Sequence, residues 1–325
     1  MPQTIAHENA ERSVWFRTRS ATDPALVGTR CYLLRRAIGQ SERKNDAMIE
    51  RQFGIEIDAE WVTTNGGEAN HHASLTPAMY ESRVRNELER ILKSEAGRHL
   101  AASLRHHSKK ILVVPYTGGD CNAQEWWWGS SAKDNYSMIR FSPGTADSPC
   151  AGGIKKRQPA SLSHEVLFHE LVHSLRRMSG KMRGWNLMGT SLANQGNIEE
   201  FISVLVTNIF ISDVTNNFKT SLRDGWMGHG PLDPALARSY GFFALGTKTY
   251  NLIATFCDDN RGFTKMLSKV RAHFNPIAAY YQNPRKAFDI AADGDAEMAF
   301  QHMTPMDYFQ DMDGAWKKIR PFPGP

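Results

Sequence analysis

The chain has 325 residues, 41% of them hydrophobic, which is enough for a sizeable core and sets it apart from disordered sequences. Its formal charge of +5 and isoelectric point near 9.0 are mild for this length, and the basic residues are spread along the chain, so no nucleic-acid partner is indicated. No apolar window has the length a membrane span needs, and the four cysteines, at positions 31, 121, 150 and 257, form no Cys-x-x-Cys pair, which argues against a thiolate metal site and a dense disulfide framework.

The first residues, MPQTIAHENAERSVWFRTRS, contain neither an apolar h-region nor a small-residue cleavage site, so a Sec-type signal is not expected. The expected location is then the cytoplasm, or outside it by a route that reads no cleavable hydrophobic signal. Residues 1–30 read as a loosely held polar arm and residues 31–325 as a single domain, because no linker or repeat divides them. Residues 29–53 suggest two short helices, and the alternation from Phe53 to Val62 suggests a strand ended by the turn Asn65-Gly66-Gly67. From Pro77 to about Leu104, apolar residues recur at helical spacing and predict one long amphipathic helix. Ile111–Val114 is a short apolar run expected to be a buried strand, and Tyr136–Phe141 alternates like another. Between them, Trp126, Trp127 and Trp128 are placed to edge a cleft or enter the core.

A Gly, Pro and Ser-rich loop, 145–159, leads into SLSHEVLFHELVHSLRR, Ser161–Arg177, which predicts a helix with Ser161 or Ser163 as N-cap. Arg176 and Arg177 fall in its last turn, where cations suit the dipole. This helix carries His169, Glu170 and His173 in the order His-Glu-x-x-His. Helical residues four apart are turned by only about 40° and raised by about 6 Å, so the two imidazoles can share one ion. Glu170 need not bind metal, because beside the ligands its carboxylate can take a proton from a water that zinc has acidified. His164 points elsewhere by about 140°. A bland reading of the same helix is a solvated polar face.

A catalytic zinc has three protein ligands and one open position. Downstream of His173 the nearest candidates are Glu199, Glu200, Asp213, Asp224 and His229. Glu200 is preferred because it begins the segment Asn197–Ile211, apolar on nearly every side and expected to be a buried helix, where a carboxylate needs a compensating charge. Glu199 stays in reserve, one residue of register away. The competing reading is a capping box, with Asn197 as N-cap and Glu200 reaching back to it. Further on, residues 234–256 look helical with an interruption near Gly246, Phe263–Phe274 predicts another helix, and Pro276–Tyr281, Asn283-Pro284 and the final PFPGP mark turns and a tail.

His169-Glu170-Leu171-Val172-His173, followed by a helix beginning Glu199-Glu200-Phe201-Ile202-Ser203, resembles the gluzincin branch of the zincin metallopeptidases. The Asn-Glu-Ala-Ile-Ser signature of thermolysin-like members lines up with Glu199–Ser203 and implies Glu200 as third ligand. Val204 stands where those relatives carry an Asp that supports the first histidine. The approach to the helix is also similar to secreted bacterial effector or toxin metallopeptidases, which implies a protein substrate in a target cell.

The expectation is thus a helix-rich α+β chain, to which the resemblance adds a zincin-like core with a small sheet beside the His-Glu helix. One Zn2+ would be held by His169, His173 and Glu200, with Glu170 as general base hydrolysing a protein or peptide. The oxyanion donor is sought among His229, Tyr240 and Tyr250. The alternatives are a binding protein with a fortuitous or structural His-Glu helix, and a zinc hydrolase of a non-peptide amide. His71-His72 is a weak further metal pair, since adjacent histidines splay apart.

Overall fold

A computed structural model describes residues 49–60, 75–107, 110–116, 123–127, 136–143, 159–160, 162–183, 186–187, 192–215, 221–226, 230–299, 308–310 and 316–318. The chain divides into two compact units, Met1–Lys44 and Asn45–Pro325, and every described residue belongs to the second. The expected arm, the turn at 65–67, His71-His72, His229 and the PFPGP tail lie outside the described residues.

In chain order the elements are β1 (Ile55–Ile57), α1 (Pro77–Leu92), α2 (Glu95–Arg105), β2 (Lys110–Pro115), β3 (Ala123–Trp127), β4 (Tyr136–Phe141), α3 (Ser163–Met178), α4 (Ile198–Ser212), α5 (Thr247–Asp259), α6 (Arg261–Leu267), α7 (Pro276–Gln282), α8 (Pro284–Ala299), β5 (Tyr308–Gln310) and β6 (Trp316–Lys318). β1 to β4 form one sheet in the order β1-β2-β4-β3, in which β3 alone runs antiparallel, paired only to β4. β5 and β6 make a separate antiparallel pair. The helix-rich α+β class expected from the pattern is the class observed.

Ile111–Val114 is the buried strand its apolar run predicts, because a central parallel strand is covered on both faces. Ile111, Val113, Ile139 and Phe141 join the main core with Leu88 of α1, Leu100 of α2 and Leu167 and Leu171 of α3. Leu112, Val114 and Met138 form a small cluster on the other face. α3 lies against β3 and β4 and packs on α4, where Phe168 stacks on Phe210 with ring centroids 4.1 Å apart.

Three expectations are corrected. The single helix over 77–104 is two, because Ser94 starts afresh. Its hydroxyl accepts from the Gly97 N–H (2.7 Å) and donates to the Ile91 carbonyl (2.8 Å), while Asp213 Oδ2 accepts from the N–H groups of Glu95 (2.7 Å) and Ala96 (3.1 Å). The chains approach so closely there that a Cβ on Gly97 would stand 1.9 Å from the Ile91 carbonyl oxygen. The helix expected over 263–274 ends at Leu267. Finally, Pro276 and Pro284 open α7 and α8 instead of marking turns, since proline at the first helical position gives up an N–H that has no helical partner. In each case the preceding asparagine, Asn275 or Asn283, caps the new helix through its side-chain oxygen, at 3.0 Å in both.

Candidate metal centre

α3 begins at Ser163, with Leu162 at the cap position and no side-chain cap, so Ser163 is the first helical residue and not the N-cap expected, while Ser161 lies outside the described residues. The entry is held by Glu165 in the first turn, whose Oε1 accepts from the Ala160 N–H at 2.8 Å. That bond fixes Ala160 at φ 60, the only non-glycine residue with positive φ among those described. Burial pushes Glu165 up to about 7, against the pull of the Arg223 cation.

His169 and His173 lie four apart on α3, and α4 brings Glu200 to them. Two ligands of a tetrahedral ion with bonds of roughly 2.0–2.1 Å stand about 3.3 Å apart, and the close approaches here are 3.0 Å from His169 Nε2 to Glu200 Oε2, 3.1 Å between the two Nε2 atoms and 3.4 Å from His173 Nε2 to Glu200 Oε1. Among the described residues this is the group of three that could hold a metal ion, with one ligand atom from each all within 4.8 Å. Two imidazole nitrogens and a carboxylate facing one point form a donor set suited to zinc. His173 Nδ1 lies 3.2 Å from the Ser203 hydroxyl, which can accept its proton and so leave the Nε2 lone pair aimed inward. His169 Nδ1 is buried without a hydrogen-bond partner among the described residues, consistent with Val204 offering no support.

Burial holds His169 down to about 4 although Glu200 opposes it. Burial also disfavours charge on His173, but the hydrogen bond and charge of Glu200 outweigh it and lift His173 to about 9. Glu200 itself, despite burial, is held well below the usual carboxylate range by the two imidazoles.

The geometry separates Glu199 from Glu200. Asn197 caps α4, accepting from the N–H groups of Glu199 (2.9 Å) and Glu200 (3.0 Å), as the sequence predicts. Glu200 does not close a capping box, however, because its carboxylate turns to the histidines and the Asn197 N–H donates to the Gln195 carbonyl (2.8 Å). Glu199 points the other way. It accepts from Arg176 Nε (3.0 Å), Arg176 Nη2 (2.9 Å) and the Arg183 N–H (2.7 Å). Asp213 is taken up by the N–H groups of Glu95 and Ala96 at the start of α2, and Asp224 lies outside the ligand group.

Glu170 faces the same space from α3. Its Oε2 accepts from the Glu125 N–H of β3 at 2.7 Å, and burial pushes it up to about 7, opposed by His173 and reinforced by Glu200. A buried carboxyl beside a candidate metal-ligand set is suited to taking up and giving back a proton. His164 turns away, as expected, to Glu87 Oε2 at 3.3 Å. Tyr250 packs among Phe243, Tyr280 and Phe288, and Tyr240 lies under Lys286 Nζ, so both sit in the C-terminal helical layer. The side chains of Trp126 and Trp127, and all of Trp128, lie outside the described residues.

Sequence reasoning missed Ser203, Glu125 and Arg223. Ser203 was findable, since it follows Glu200 by three on one helix face. Arg223 is buried, and its charge acts on Glu165, Glu200 and Glu170. Its backbone is gripped by Asn208, which donates to its carbonyl and accepts from its N–H, both at 2.8 Å. The clue was Asn208 itself, an amide within an otherwise apolar helix.

Residues 71–217 match the Peptidase_M91 family model, described as "Effector protein". No curated protein and no solved structure matches the chain. The matched segment runs from before α1 to just past α4 and so contains His169, Glu170, His173 and Glu200. Over this segment the chain is similar to peptidases of the effector type.

Proposed function

We propose that the chain is a zinc-dependent endopeptidase of the zincin type, with His169, His173 and Glu200 as ligands of one zinc ion and Glu170 as general base. The observation that carries this reading is the convergence of three ligand atoms within 4.8 Å, beside a buried carboxyl, inside a segment similar to effector peptidases. A bound zinc ion supplies Lewis acidity, activating water and polarising an acyl oxygen. Glu170 takes the proton of the attacking water and hands it to the leaving amine, a cycle favoured by a pKa near neutrality. Ser203 holds the His173 ring in its ligating orientation. The buried surroundings of Glu170 and the histidines keep bulk water from competing for the transferred proton. The substrate is a protein, and the effector likeness favours one met in a target cell.

Zinc analysis of the purified chain tests the ligand set. We expect about one zinc per chain, lost in His169→Ala, His173→Ala and Glu200→Ala and retained in Glu170→Ala. A proteome exposed to the wild type should gain new N-termini that are missing with Glu170→Ala. Zinc retained undiminished in His169→Ala, or equal cleavage by Glu170→Ala, would overturn the reading.

A further inference from the structure

The carboxylate of Glu170 accepts one hydrogen bond among the described residues, and its donor is a backbone N–H of a strand at the sheet margin. That N–H is available because β3 is last in the sheet order, so the groups it does not give to β4 point outward. A marginal strand of five residues is by itself a poor fixed point for a group that must move a proton along one direction. The strand is anchored at the very residue that supplies the N–H. The Glu125 side chain is 3% exposed; Arg177 donates to both of its oxygens, Nε to Oε1 at 2.5 Å and Nη2 to Oε2 at 2.6 Å. The Ser137 hydroxyl of β4 donates to Oε1 at 2.7 Å, and the Ser174 hydroxyl of α3 stands 3.0 Å behind it.

Arg177 follows Glu170 by seven residues, two turns along the same face of α3. The contacts therefore close a ring: α3 presents Glu170, Glu170 takes the Glu125 N–H, the Glu125 carboxylate takes Arg177, and Arg177 returns to α3. A shift of β3 along the helix would break the bidentate pair before it could carry the N–H away from Glu170.

We propose that Glu125 and Arg177 are positioning residues for the general base, setting the orientation of the Glu170 carboxylate through the β3 backbone. This rests on the reading of Glu170 as the base, but the ring of contacts can be tested without it. An ion pair that only ties strand to helix would alter melting temperature and nothing else.

The test uses the full chain loaded with zinc, fluorescein-labelled casein as the probe, and hydrogen exchange of the 123–127 backbone. In Arg177→Ala and Glu125→Ala we expect zinc content unchanged, kcat down about 10- to 100-fold and KM within threefold of wild type. Glu125→Gln, which keeps the acceptor for Ser137 and one bond to Arg177, should lie between these and wild type. Exchange at 123–127 should quicken in Arg177→Ala, and also in Glu170→Ala, where the acceptor of the Glu125 N–H is gone. A kcat within twofold of wild type in both alanine variants overturns the proposal, as does loss of zinc from Arg177→Ala, which would place the effect on the metal site. Exchange at 123–127 left at the wild-type rate in both Arg177→Ala and Glu170→Ala overturns it even if casein is not cleaved. Casein cleavage by the wild type that Glu170→Ala matches would instead strike at the proposed function.

Discussion

Glu199 and Glu200 are neighbours with the same chemistry, yet their surroundings divide their work. Glu199 neutralises Arg176, which is fully buried, while Glu200 turns to the histidines. Removing Glu199 leaves the buried guanidinium with Asp259, at 3.4 Å, as its carboxylate partner among the described residues, so Glu199→Ala should destabilise the fold by about 3 kcal/mol in denaturant unfolding, the low end for breaking a buried pair. Glu165 allows a second prediction. Its folded pKa of about 7 lies above the ordinary 4.5, so the protonated form is favoured in the fold. Its contribution is then fully present below pH 4.5 and is lost as pH rises to 7, by an amount on the order of 3 kcal/mol. The charged group facing it is Arg223, and the Ala160 N–H is its hydrogen-bond donor. Glu165→Gln can still accept that N–H without a charge, so it should match wild type at pH 4.5 and exceed it in stability at pH 8, as measured by urea unfolding. His169, Glu170 and His173 were legible in the sequence because helical spacing alone brings them together. The partner of Arg176 was not, since nothing in a last-turn arginine distinguishes a solvated cation from one that the fold encloses.

At the scale of elements, hydrophobic periodicity predicted where helices run better than where they stop. The apolar stripe of α1 (Val84, Leu88, Ile91) loses phase in α2, where Leu100 and Leu104 fall about 180–220° round from Ile91 at roughly 100° per residue, and the hydrogen bonds of Ser94 and Asp213 make the break. Asp213 acts from 118 residues away, a distance that no local window can read. Because its Oδ2 satisfies two N–H groups at the start of α2, Asp213→Ala should lower stability by about 1–2 kcal/mol, seen as a shift of the thermal midpoint without loss of zinc. The Asn-Pro pairs at 275–276 and 283–284 failed differently. Asparagine and proline mark turns and helix starts equally well, and only the packing of the next turn of chain separates the two outcomes. β2 and β4 were legible because each signals its burial through pattern alone: a continuous apolar run and an alternation.

Across the whole described unit, the segment similar to effector peptidases ends near α4, and the helices beyond it reach back to the site. Phe242 stacks on Phe201 of α4 with centroids 6.0 Å apart, and Asp259 of α5 accepts from Arg183 at 2.7 Å and from Arg176 at 3.4 Å. Arg176 also donates to the Asn260 side chain at 2.7 Å. A single guanidinium thus joins α3, the first turn of α4 and the end of α5. α3 and α4 are held together by this cation and by the Phe168–Phe210 stack. On the proposed zinc reading, these contacts preorganise the ligand set, in contrast to small metallodomains whose ligands assemble only as the ion arrives. On that reading a chelator should strip the proposed zinc and leave the near-ultraviolet circular dichroism almost unchanged. Calorimetric titration of zinc back into the stripped protein should show a heat-capacity change close to zero, because little apolar surface is left to bury. A large negative value would mean that the helices come together only around the ion.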